Sequence, residues 1–98
     1  MKVIWIGWCN DPIDNHDKVW GVALKSDHSF YGKQNEYAFF WGRRGKKLQK
    51  KVAPMWPKDV SRLIGTKRNK GYIQVPEDEV NAVYDRFAKD LFKIALSV

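Results

Sequence analysis

Cysteine is almost absent from this chain: Cys9 is the only one in 98 residues. An internal disulfide framework is therefore excluded, and a reducing compartment, the cytoplasm, is the expected location. Histidine is equally scarce, with only His16 and His28. These two and Cys9 fit no compact zinc spacing, and Asp11, Asp14 and Asp17 lack the glycine and closing glutamate of a calcium loop. Neither a metal nor a cofactor is expected. Long apolar runs are missing too. Residues 1–8 are apolar but stop at Asn10-Asp11-Pro12, too short for a signal-peptide core or a bilayer span. No glycine-rich phosphate loop precedes a helix, and no nucleophile, base and acid form a recognisable set. An enzyme is not expected.

Aromatic residues and positive charge are plentiful. Five Trp, four Tyr and five Phe exceed what a core of this size requires, so some rings are candidates for a stacking surface. The net charge is +7, and it is segregated. Residues 42–70 hold eleven Lys or Arg and a single acid, Asp59, for a segment charge of +10; the remainder carries −3. Solubility alone would intersperse the signs, so the pattern points to a polyanionic partner.

Hydrophobic patterning predicts an α+β domain covering residues 1–98. A four-stranded antiparallel β-meander is expected at 3–9, 19–24, 36–41 and 48–52. Residues 10–17 and 26–35 read as turns or loops, with Phe30 and Tyr31 able to pack back on the sheet. Gly42-Arg43-Arg44-Gly45 reads as a tight hairpin turn. In the fourth strand Leu48, Lys50 and Val52 share one face, and Gln49 and Lys51 the other. Residues 53–57 break the sheet. A short helix starts near Pro57, with Val60, Leu63 and Ile64 on one face and Gly65 as its stop. Residues 66–71 form a basic loop, and 72–75 a brief extended segment. Pro76-Glu77-Asp78-Glu79 then opens a longer C-terminal helix over 77–98, with an apolar stripe of Val80, Val83, Tyr84, Phe87, Leu91, Ile94 and Ala95, packed on one face of the sheet.

At Phe40-Trp41-Gly42-Arg43 the chain resembles the WGR domain family. An aromatic residue precedes Trp-Gly-Arg at a strand end, and a glycine and basic residues follow. Lys67-Arg68-Asn69-Lys70-Gly71-Tyr72 resembles that family's second landmark, a lysine, two residues, then Lys-Gly-Tyr. The match spans residues 36–72. Arg44 stands where the family usually has an aliphatic residue, its glycine-glutamine after the turn is absent, and a helix over 77–98 is not part of the minimal domain. In poly(ADP-ribose) polymerases the domain contacts DNA near strand breaks, and stand-alone bacterial forms exist. The resemblance implies that Trp41 stacks on a sugar or base and that Arg43 holds phosphate or a neighbouring domain.

The residues expected to bind nucleic acid are Trp41, Gly42, Arg43, Arg44, Lys46, Lys47, Lys50, Lys51, Lys67, Arg68 and Lys70, with Gly71 and Tyr72 as structural parts of the motif. Arginine forks suit phosphate oxygens, and the lysines act as point charges. No helix carries the Asn, Gln and Arg cluster that reads base edges, so weak sequence preference is expected, with strand ends or breaks favoured. Trp41 can equally be core, Arg43 can bond a neighbouring loop, and Tyr72 reads more readily as core than as site. The expected partner is DNA, or RNA on the same surface, bound by a monomer or weak dimer. The alternative is an adaptor docking an acidic protein.

Overall fold

The computed structural model describes residues 2–11, 16–43, 46 and 48–75. The helix expected over 77–98 lies outside them. Among the described residues five strands form one antiparallel sheet: β1 (Lys2–Asp11), β2 (His16–Ser26), β3 (Asn35–Arg43), β4 (Gln49–Met55) and β5 (Ile73–Gln74). Helix α1 (Pro57–Asn69) links β4 to β5, and a 3-10 turn (Ser29–Tyr31) sits between β2 and β3. The spatial order is β4-β3-β2-β1-β5. The class is α+β as expected, but the meander carries a fifth strand. The segment read as merely extended pairs Ile73 with Trp8 and Gln74 with Gly7, and Val75 donates its N–H to the Ile6 carbonyl.

Strand alternation divides the side chains into two clusters. Ile6, Val19, Ala23, Ala38, Phe40 and Leu48 pack together on one face. Trp5, Trp20, Val22, Tyr37 and Phe39 pack on the other, with Val60, Leu63 and Ile64 of α1 against them. Two glycines make room for large rings. Gly21 lies directly across from Phe40, and a Cβ there would overlap the Phe40 ring. A Cβ on Gly7 would overlap the ring of Trp5. Trp5 tilts against Trp20 at 5.9 Å between centroids, and Trp20 against Phe39 at 6.2 Å.

Several boundaries differ from the sequence reading. Strand β4 continues through Pro54 to Met55 instead of breaking at residue 53. It is an edge strand, where a residue without an N–H can sit without costing a ladder bond. Strand β3 runs on through Gly42 and Arg43, which pair with Val19 and Lys18. The turn therefore starts only after Arg43, whose carbonyl accepts the Lys46 N–H at 3.1 Å. Helix α1 begins at Pro57 as predicted, with Asp59 in its first turn. It does not stop at Gly65 but continues to Asn69, through residues read as a basic loop. The apolar stripe explains this. Lys67 extends the Val60, Leu63 and Ile64 face by another turn and lies over the Trp20 ring. Gly71, at φ 99°, ends the run by turning the chain, and the Tyr72 N–H returns to the Lys67 carbonyl at 3.2 Å. Among the described residues no helix is long and apolar enough to cross a membrane.

Candidate nucleic-acid interface

An open cavity of about 540 Å³ lies between the end of α1 and the β2–β3–β4 sheet. Its position follows from strand register. Trp20 of β2 faces Trp41 of β3, and Lys18 faces Arg43 two pairs further from the β2–β3 turn. On β4, Lys51, Ala53 and Met55 alternate onto the same side. Leu63 and Lys67 of α1, with Tyr72 just beyond the Gly71 turn, supply the opposite wall. The interior is aromatic and aliphatic: Trp20, Phe39, Trp41, Tyr72, Leu63, Met55 and Ala53. Lys18, Arg43, Lys51 and Lys67 also line it, and no carboxylate is among its lining residues. Unit charges of one sign around a low-dielectric wall concentrate an attractive field on anions.

The central cation is Lys67. Its ammonium lies 5.4 Å from the centroid of the Trp20 ring and 5.8 Å from that of Tyr72. Burial, and secondarily the charge of Lys70, hold its pKa below the usual lysine value. A depressed lysine pKa means that the charged form is disfavoured on folding; this cost applies below the folded pKa and is relieved as pH rises through it. An anion in the cavity would oppose both causes. Burial first, then Cys9, raises the Tyr72 hydroxyl above the usual tyrosine value, so it remains a hydrogen-bond donor.

The sequence-predicted residues divide three ways. Trp41, Gly42, Arg43, Lys51, Lys67 and Tyr72 come together at the cavity. Trp41 is half-buried: it packs at the margin of the aromatic cluster and also lines the opening, so it is neither sealed core nor free surface. Gly42 sits at φ 151°, where a side chain is disfavoured. Tyr72, expected to be core, packs against the aromatic cluster and also forms part of the cavity wall. Lys46, Lys50, Arg68 and Lys70 do not line it. Lys50 points away from the cavity side because it alternates with Lys51, and Arg68 lies over the Trp5 ring, its guanidinium carbon 5.7 Å from the centroid. Arg44 and Lys47 lie outside the described residues. The +10 segment is thus not one continuous face. Arg62 sits on the outer side of α1, paired with Asp59 at 3.6 Å.

Sequence reasoning missed Lys18. It falls outside the basic segment and before the point where β2 was expected to begin. Its signal was the hairpin register, since a strand reaching Lys18 must bring it opposite Arg43. The aromatic walls Trp20 and Phe39 were visible only as strand residues. The expectation that Phe30 and Tyr31 pack back on the sheet is overturned: they are 92% and 71% exposed. The 3-10 turn that carries them buries none of its residues. No family model, no curated protein and no solved structure matches this chain.

Proposed function

We propose that this chain is a non-enzymatic nucleic-acid-binding module, acting on DNA with weak sequence preference and favouring strand ends or breaks. The reading rests on one observation: an aromatic-walled cavity lined by Lys18, Arg43, Lys51 and Lys67, with no acid among its lining residues. A base or sugar lies against Trp41, and the cations take the adjoining phosphates. Stacking tolerates any base, because each has a π face. A cavity closed by α1 on one side admits a strand terminus or an unpaired stretch more readily than the side of an intact duplex. The resemblance to WGR domains is part of this proposal. It gains support from Trp41, Gly42, Arg43, Lys67 and Tyr72, which come from both sequence landmarks and line one cavity. The reading requires no cofactor and places the protein in the cytoplasm, on the nucleoid.

Fluorescence anisotropy with single-stranded, blunt and nicked DNA tests it. With four cations engaged, log K for the single strand is expected to fall against log salt with a slope of about −3. Binding that does not change between low and high salt would remove the phosphate contacts from the account. The second reading, an adaptor docking an acidic protein, draws on the exposed Phe30 and Tyr31. It predicts little affinity for any DNA at low salt.

A further inference from the structure

The loop between β2 and β3 carries its two rings outward on a built support. Phe30 and Tyr31 meet edge to face, with centroids 5.4 Å apart and planes at 89°. Asn35, buried at the start of β3, accepts the His28 N–H at 2.7 Å. Asp27 accepts the Ser29 N–H at 2.9 Å, and Gly32, at φ 66°, closes the turn. None of these contacts uses the rings. The loop is therefore ordered while its two largest apolar side chains remain in solvent, the arrangement of a pre-formed anchor.

The same molecule holds a receptor of matching chemistry. Its cavity has aromatic walls and a volume of about 540 Å³, in the range that takes compact apolar groups. Its cations suit ring faces, as Lys67 over Trp20 already illustrates, and suit the Asp27 carboxylate beside the anchor. The anchor and the cavity lie at opposite ends of one hairpin: Ser26 pairs with Glu36 at the anchor end, and Lys18 with Arg43 at the cavity end. A hairpin cannot fold its tip back into its own far end, so an anchor that docks in a cavity of this kind docks in that of another molecule.

We infer that the Phe30–Tyr31 anchor of one chain docks in the cationic aromatic cavity of a second copy. The contact is heterologous: each chain offers one anchor and one cavity, so copies add head to tail. It is small and therefore weak, and shows itself at high concentration. This inference does not depend on nucleic-acid binding, since its test contains none.

Sedimentation velocity on the full chain, from about 10 µM to about 1 mM, is expected to show the weight-average mass rising at least roughly two-fold. Two variants take the contact apart. The double variant Phe30→Ser, Tyr31→Ser removes only solvent-exposed rings and keeps the cavity. Lys51→Glu changes an exposed cavity residue and keeps the anchor. Each alone is expected to remain monomeric. Mixed in equal amounts they should form a heterodimer that grows no further, because one anchor and one cavity have been consumed. A mass constant across the range overturns the inference. So does association that survives loss of both rings, or a mixture that stays monomeric.

Discussion

Trp41→Ala is expected to weaken binding of a single-stranded oligonucleotide by about 1–3 kcal/mol, roughly 5- to 150-fold. The indole is half-buried at the margin of the Trp5, Trp20 and Phe39 cluster while it lines the cavity, so its removal also loosens packing. Two companions separate these effects. Trp41→Phe retains an aromatic face and much of the packing, and should recover most of the affinity. Val60→Ala removes methyl groups from a fully buried α1 position that does not line the cavity. It should lower stability by about 0.5–2 kcal/mol, yet leave affinity unchanged when binding is measured well below the unfolding midpoint. An affinity loss in Val60→Ala equal to that in Trp41→Ala would mean that the ring acts through the fold alone.

Gly21→Ala should be strongly destabilising for a single added methyl, at about 3 kcal/mol in urea unfolding. The added Cβ overlaps the Phe40 ring. Phe40 is 1% exposed and packed among Ile6, Val19 and Ala38, so it has no empty space to turn into. Gly65→Ala is the contrasting case. It sits within α1 with nothing within 4 Å of an added Cβ. There the methyl meets no obstacle and restricts the unfolded chain, so a gain of about 0.5–1 kcal/mol is expected. Equal effects from the two substitutions would show that the Phe40 ring does not depend on Gly21.

The strand order β1 to β4 and the start of α1 were legible because local signals agreed there: β-branched and aromatic runs, turn residues between them, and proline at the first helical position. Gly65 misled because intrinsic propensity is a weak force beside the apolar face that Val60, Leu63 and Ile64 bury and Lys67 extends. Pro54 misled because a break in a central strand is harmless on an edge. The fifth strand rests on pairing between residues 7–8 and 73–74, a separation that no local pattern carries. Half of the site could be read from Trp41-Gly42-Arg43 and the Lys67-to-Tyr72 spacing. Lys18, Trp20 and Phe39 enter only through hairpin register, and Lys50 leaves through strand alternation. Charge counted along the chain overstated the face, because neighbouring lysines on a strand point in opposite directions.

Titrating uniformly 15N-labelled protein with a short single-stranded oligonucleotide probes the cavity directly. The expected result is that the indole resonance of Trp41 and the amides of Lys18, Arg43, Lys51 and Lys67 move first and furthest. The amides of the Asn35 end of the same hairpin should stay in place. If the shifts instead centre on Lys50 and the outer side of α1, or if no resonance moves at low salt, the cavity is not where nucleic acid binds.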